Sequence, residues 1–493
     1  MEKTLQLTGT QRDFFITLDR TAFCNPFSDL RFELDLRLAE ADRNLDRSQI
    51  TRQAFAKVKT HLAALGSKGR VKFSDFTPAD AAILRTAFLF DIYHDFIDEF
   101  DAHIRKQLAG GERPVTLPFA AKAMAALLER GFSETEACRY MAFFFQLRRS
   151  FFFINRNLVG NCPSMNTLRC RLWNNIFTHD TKWFEHHLWD RMEDFSTLLL
   201  GETGTGKGAA AAAIGRSGHI PFDHKSGKFR ESFNRNFIAR NLSQFPETLI
   251  ESELFGHKKG AFTGAVSDYR GVFAECSPHG SIFLDEIGDL AAPVQIKLLQ
   301  ILQERVFSPV GSHEQLRFSG RVIAATNRPI QKLRKEGMFR DDFFYRLCSD
   351  VIEVPSLHQR TRENPNETSI LLKRVIERIT GNCQPELVRT IRGILNEHPG
   401  PDYSWPGNVR ELEQAVRRIL LCGRYEGEIR EAAPDLGDAL KERIAEGKMT
   451  AQEVLAGYCG MLYRHHGTFE QVARITGLDR RTAKKYVLSG DQE

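Results

Sequence analysis

The sequence predicts a multidomain protein with a mainly α N-terminal region, an α/β phosphate-loop core with a helical lid, and an all-α helix-turn-helix at its end. Three observations predict it. An apolar run, Ser196-Thr-Leu-Leu-Leu, breaks into a glycine loop that ends in Lys207. Two later apolar runs also finish in polar chemistry, one at Asp285-Glu286 and one at Asn327. A short basic helical pair, punctuated by Gly477, closes the chain.

Composition bounds the possibilities. A chain of 493 residues has room for three or four domains. Its 42% hydrophobic and 27% charged residues are those of a globular protein. The net charge of +5 is small for this length, so any nucleic-acid binding must come from a local patch. Nine scattered cysteines without a C-x-x-C pair read as reduced thiols. With no apolar run of bilayer length and no signal-peptide pattern, the expectation is a soluble cytoplasmic protein that does not engage a membrane.

Residues 1–156 hold 20 of the 38 phenylalanines in under a third of the length, which predicts a separate helical domain with its own aromatic core. Thr77-Pro78 reads as an N-cap with proline at the first helical position. Beyond it Leu84, Phe88, Ile92, Phe96, Phe100 and Ile104 recur at i+4, predicting the apolar stripe of one long helix. Asp91, Asp95, Asp98 and Glu99 fall on the other side. Ser133-Glu-Thr-Glu136 reads as a capping box opening another helix through Phe143-Phe-Phe145. No residue pattern here points to a catalytic or phospho-accepting site. The histidines of Trp183–Trp189 lack a third ligand at metal spacing and read as surface or packing.

The core opens with Gly201-Glu202-Thr203-Gly204-Thr205-Gly206-Lys207-Gly208, a G-x-x-x-x-G-K loop between a strand and an alanine-rich helix. Gly201, Gly204 and Gly206 permit a turn whose N–H groups face one centre. The helix N-terminus adds positive potential, and Lys207 brings a charge to the β/γ oxygens. Asp285 is placed to hold Mg²⁺, directly or through water, and Glu286 to orient and deprotonate an attacking water. Three strands ending in phosphate or water chemistry at one sheet edge predict a nucleoside triphosphatase using Mg²⁺.

Between the first two of these motifs lies Glu251-Ser-Glu-Leu-Phe-Gly-His257, then Gly260-Ala261-Phe262-Thr263-Gly264-Ala265. Alone, the second stretch reads as a surface hairpin with an exposed Phe262. Here the chain resembles the AAA+ ATPase domain of bacterial enhancer-binding proteins, the activators of sigma-54 RNA polymerase. GAFTGA is that family's sigma-54 contact loop and stands here unaltered. The resemblance covers roughly Leu158 to the end of the chain. It implies trans-acting arginines at Arg340 and Arg346, in Phe339-Arg-Asp-Asp-Phe-Phe-Tyr-Arg-Leu347. It implies a sensor II arginine at Arg410, in Trp405-Pro-Gly-Asn-Val-Arg-Glu-Leu412, and a residue restraining the catalytic glutamate at Asn241. It also implies a ring, hexameric as in the family. Two features depart from it. Gly208 stands where the family usually has glutamate, and the stretch from His219 to Asn236 is longer than usual with no assignable chemistry.

Proline and glycine punctuation past Pro355 predicts a helical lid over residues 356–425 and a linker over 426–444. The core then spans residues 158–355, with residues 1–157 regulatory by analogy with the family. In residues 445–493, the segment after Gly467 reads as helix, turn at Gly477-Leu478, and helix. Arg480, Arg481, Lys484 and Lys485 share one face of the second helix with Thr482 nearby, a face suited to a major groove and its phosphates. This tail resembles the Fis-type DNA-binding domain of the same family. The sequence therefore predicts a sigma-54-dependent activator that binds enhancer DNA and remodels the sigma-54 polymerase complex by ATP hydrolysis. The alternatives are a nucleotide-binding DNA regulator without remodelling activity, or an AAA+ machine working on another partner.

Overall fold

The structure, a computed structural model, describes residues 4–66, 71–382, 384–427, 444, 447 and 449–489. It divides into two compact units, residues 1–393 with 402–420, and residues 394–401 with 421–493. In the first unit, helices precede and surround a five-stranded sheet. Among the described residues no helix is long and apolar enough to cross a membrane.

The sheet strands are β1 (Thr197–Leu200), β2 (Phe237–Asn241), β3 (Ser281–Asp285), β4 (Arg321–Thr326) and β5 (Asp350–Glu353). Their spatial order is β2-β3-β4-β1-β5, and every neighbouring pair is parallel. Parallel strands need crossover connections that cover both faces, which is why the middles of β1, β3 and β4 are apolar and buried. Alternate side chains still divide between the faces. Leu199, Phe283, Ile323 and Ala325 join one buried cluster, while Leu198, Ile282, Leu284, Val322 and Ala324 join the other. Register brings Asn241 opposite Asp285 and Leu200 opposite Thr326, so the strands finish along one edge.

The first of those clusters overturns one expectation. The aromatic core of residues 1–157 is not closed on itself. It runs without a break from Phe15 and Phe88 through Phe145 and Phe153 to Ala210 and Ile214 of the phosphate-loop helix and Phe283 of β3. The helical region thus packs over one face of the sheet.

The predicted long helix is also two helices, α1 (Pro78–Asp95) and α2 (Ile97–Ala109), broken at Phe96. A strict i+4 repeat drifts about 40° per step around a straight α-helix, so six such residues cannot stay on one face. The break resets the direction, and all six stripe residues are buried. Asp95, Asp98 and Glu99 are exposed as expected, whereas Asp91 is half-buried and desolvation pushes its carboxyl up. Thr77 and Ser133 cap their helices, the latter with the full capping box at the start of α3 (Glu134–Asn157).

The face of α3 turned to the core meets α4 (Lys207–Gly215), the helix after the glycine loop. Arg149, fully buried, donates to the carbonyls of Arg216 and Gly218 at 2.6 Å each, and Gln146 Nε2 donates to Ser217 O at 3.0 Å. A guanidinium thus satisfies carbonyls just past the negative end of α4. The long stretch from His219 to Asn236 completes this joint. It forms a two-stranded ribbon whose Phe229 stacks on Phe145 at 3.9 Å, while Gly227 O accepts from Leu117 N and Asn234 Nδ2 donates to Gln107 O. Its extra length packs the helical region onto the sheet.

Past β5 come helices Leu357–Glu363, Glu367–Thr380, Pro385–Glu397 and α5 (Asn408–Cys422). Most of the predicted 426–444 linker lies outside the described residues. The second unit contains helix Ala451–His466, then α6 (Phe469–Thr476) and α7 (Arg480–Ser489), joined through Gly477 at φ +73°. Cys459, Leu462, Val472, Ala483 and Val487 form its core.

Candidate functional site

The glycine loop leaves β1 at Gly201 and enters α4 at Lys207. At Gly204, φ is +81° and a Cβ would meet Gly407 O at 2.3 Å, so both backbone angle and space demand glycine. Lys207 is buried, and its Nζ donates to the carbonyls of Gly201 and Glu202 at 2.9 and 3.1 Å. Burial pulls its pKa down, and the nearby carboxylates of Glu286 and Asp285 oppose that. Thr205 Oγ1 donates to Glu202 O, tightening the turn. At Gly208, by contrast, a Cβ would find only Phe283 at 4.0 Å, so packing does not require a glycine there.

At the end of β3, desolvation pushes the Asp285 carboxyl up, and Lys207 moderates the shift. Glu286 sits in the left-handed region at φ +58°, unusual for a residue with a Cβ, and sites of this kind concentrate where geometry serves function. Its Oε2 accepts from Asn327 N at 3.3 Å, and Asn327 Nδ2 donates to Thr203 Oγ1 at 2.8 Å. Asn327 thereby ties the third strand end to the loop. The Asn241 side chain accepts from Ser243 N, leaving Glu286 bonded to Asn327.

Thr203 to Gly208, Asn241, Asp285 and Glu286 line a cleft of about 630 Å³ that also includes Arg410, while Asn327 lies outside the lining. The remaining walls were not legible in the sequence. Leu158, Val159, Met165 and Leu168 supply an apolar side, and Arg374 and Arg378 project from the lid. Gly160 and a buried ion pair join these parts. Arg360 Nη2 bonds Glu367 at 2.8 Å and Val159 O at 2.6 Å, and Glu367 accepts from Cys162 N at 2.8 Å. A Cβ on Gly160 would collide with both members of the pair.

The lid is fastened to the loop by Asn408, which is fully buried and held at φ +55°. Its Nδ2 donates to Glu202 Oε2 at 2.9 Å and Thr203 O at 3.1 Å, and its Oδ1 accepts from Leu357 N at 2.7 Å. Val409 N bonds Gly204 O. Arg410 follows immediately, so this fastening places it over the cleft.

Arg340 and Arg346 are not part of the cleft in their own chain. Arg340 makes a two-point pair with Asp342, and Arg346 Nε donates to Leu302 O at 2.8 Å.

The Gly260–Ala265 loop closes on itself through Gly260 N to Ala265 O at 2.8 Å, with both glycines at positive φ. At its base, His257 and Tyr269 exchange backbone hydrogen bonds, and Lys258 N bonds Val310 O of an adjoining loop. Phe262 is exposed as expected, at 37%, with its ring edge-on against His257 at 4.9 Å, and Val266 beside the loop is 80% exposed.

On α7, Arg480, Arg481, Lys484 and Lys485 are exposed, opposite the buried Ala483 and Val487. Arg480 pairs with Glu470 at 2.8 Å, and Lys484 lies over the Phe469 ring. Asp479 caps the helix, its carboxylate accepting from Arg481 N and Thr482 N at 2.9 and 3.1 Å.

Residues 185–353 match the family model described as the sigma-54 interaction domain. The transcriptional regulatory protein GlrR of Escherichia coli is 38% identical over 258 residues, 52% of either chain. The DNA-binding transcriptional regulator NtrC of Azospirillum brasilense is 38% identical over 53% of this chain and 49% of its own. The sigma54-dependent transcriptional regulator SfnR of Pseudomonas fluorescens is 42% identical over 46% of this chain and 57% of its own. The chain spans about half the length of the curated relatives it matches.

Proposed function

Residues 185–353 match the sigma-54 interaction domain model, and on that premise we propose that the chain is an ATP-driven activator of sigma-54 RNA polymerase. The observation that carries this reading is the unaltered Gly260–Ala265 loop, borne on the same domain as Lys207, Asp285 and Glu286. Hydrolysis moves that loop against sigma-54, and the closed promoter complex is remodelled into an open one. Residues 445–493 bind enhancer DNA through Arg480, Arg481, Thr482, Lys484 and Lys485. The working form is a self-assembled ring, a hexamer, in the bacterial cytoplasm, with residues 1–157 regulating it.

The chemistry follows from the cleft. Lys207 exchanges its two carbonyl partners for β/γ oxygens, and the loop N–H groups and the α4 N-terminus hold the remaining charge. Asp285 is the carboxylate that would hold Mg²⁺, because Gly208 offers no hydroxyl and Thr205 is committed to Glu202. The ion neutralises phosphate charge when bound. Glu286 takes the proton of the attacking water, Asn327 reports the γ-phosphate to Thr203, and Arg410 reaches in from the lid. Asn241 competes for Glu286 when its side chain leaves Ser243. Arg340 and Arg346 serve the neighbouring subunit's nucleotide.

A mixing experiment tests the shared site. Arg346→Ala and Glu286→Gln proteins should each be inactive, yet mixtures should hydrolyse ATP because some interfaces contain an intact arginine and an intact base. Mixtures that never exceed the separate proteins, despite confirmed subunit exchange, would reject the ring reading.

A further inference from the structure

The helical region encloses a cavity of about 900 Å³, larger than the nucleotide cleft and separate from it in its lining residues. It lies among the first helices, α1 and α3, in the range of volumes that hold organic ligands. Aromatic side chains contribute to its walls, Phe23, Phe90, Tyr93, Phe144, Phe151 and Trp173 among them, alongside paired charged residues. A well-packed core leaves few voids larger than a water molecule, so this space is not packing slack.

We propose that this cavity binds a small, uncharged aromatic molecule carrying a hydroxyl or similar hydrogen-bond donor.

The absence of net charge follows from the pairs around it. Among the lining cations, Arg31 bonds Asp35 at 2.9 Å, Arg148 bonds Asp101 at 2.6 Å, and Arg139 pairs with Glu185 at 2.9 Å. Nearer the surface, Lys182 holds Asp19 and Arg85 holds Glu136. Arg47, exposed at the rim, donates to Pro26 O. Away from Arg47 at the exposed rim, an anionic ligand could gain a cation only by stripping a carboxylate of its partner, which is costly for the pairs shielded from water.

The donor requirement comes from His94. Its Nδ1 lies 2.8 Å from Phe90 O, and a carbonyl can only accept, so Nδ1 carries the proton. Burial pulls the imidazole pKa down to about 3, so the ring is neutral and Nε2 is an acceptor. That nitrogen has no hydrogen-bond partner among the described residues. Phe90 packs against the ring at 3.9 Å and fixes its orientation. A planar ligand can therefore lie against the aromatic walls and donate to one fixed acceptor.

The location suggests what occupancy reaches. Phe144, Leu147, Arg148 and Phe151 line the cavity from α3, and the neighbouring Gln146 and Arg149 hold the carbonyls following α4. One helix thus touches both the cavity and the end of the phosphate-loop helix.

The test uses the full chain and two probes of one shape, 2-naphthol and 2-naphthoate, followed by calorimetry and by quenching of tryptophan emission. Naphthol should bind with one site per chain, and naphthoate should bind at least tenfold more weakly. Ala82→Trp, at an exposed position on the mouth, and Leu147→Trp, within the wall, should each abolish binding. His94→Phe, which keeps the ring contacts, should weaken naphthol by about five- to tenfold, the loss of one neutral hydrogen bond. Failure of naphthol to bind, binding unaffected by both tryptophan variants, or tighter binding of naphthoate would each overturn the proposal.

Discussion

Asn408 of the lid donates to the carboxylate of Glu202 in the phosphate loop at 2.9 Å, from a fully buried position. The bond matters because Arg410 stands two residues further on, next to Val409, whose N–H bonds Gly204 O of the same loop. The lid's position is therefore set by an amide that binds loop and lid together.

Asn408→Ala should uncouple the lid from the loop. Removing a buried side chain with three hydrogen bonds leaves Leu357 N without its acceptor and should cost about 1–3 kcal/mol. ATP affinity should fall as well, because Arg410 loses its placement. Urea unfolding and nucleotide titration check both effects, and unchanged values in both would show that the fastening is incidental.

Stability should fall on mild acidification. Burial holds His94 and His219 near pKa 3 and His103 near 4, all below the unfolded value of 6.5. Below pH 6.5 the unfolded chain binds protons that the folded chain refuses. Their contribution is therefore complete above pH 6.5 and is lost progressively as pH falls towards 3–4. Between pH 6.5 and 5 the loss is about 2 kcal/mol for each histidine. Denaturant midpoints at the two pH values measure it, and His103→Phe should reduce the difference. A midpoint flat across that interval would contradict these assignments.

The basic face of α7 carries a more specific expectation than the sequence allowed. Arg480 is shared with Glu470, whereas Arg481 and Lys485 have no ion pair among the described residues. Arg481→Ala with Lys485→Ala should weaken DNA binding and lower the log–log salt slope by about two units, one for each phosphate contact. Glu470→Gln should tighten binding by freeing Arg480. An unchanged slope in the double variant would move the DNA face elsewhere.

Local motifs were legible because short-range chemistry dictates them. Gly204, Lys207 and Asp285 serve one site through a strand–loop–helix and a strand end, both visible as apolar runs ending in special residues. The caps at Thr77 and Ser133 are equally local. What the sequence concealed was long-range. The i+4 stripe does not announce a break at Phe96, since each step looks regular and only the accumulated drift forbids one helix. Phenylalanine enrichment identifies a core but not its limit, so Phe145 gave no sign of stacking on Phe229. Asn408 lay inside a motif read for Arg410, and its bond to Glu202 spans 206 positions. His94 carried no signal at all, because an acceptor facing a cavity is defined by what surrounds it.

The central claim is that the Gly260–Ala265 loop couples the ATPase to sigma-54. Neither Phe262 nor Thr263 has a side chain suited to phosphoryl chemistry, and neither lines the nucleotide cleft. The loop's internal hydrogen bonds are backbone ones that alanine at either position retains. The most direct measurement pairs ATP hydrolysis with open-complex formation at a sigma-54 promoter, using one preparation each of wild type, Thr263→Ala and Phe262→Ala. The account predicts that Thr263→Ala keeps ATP binding and much of the hydrolysis while open complexes fail to form. Full promoter opening by both variants would contradict it.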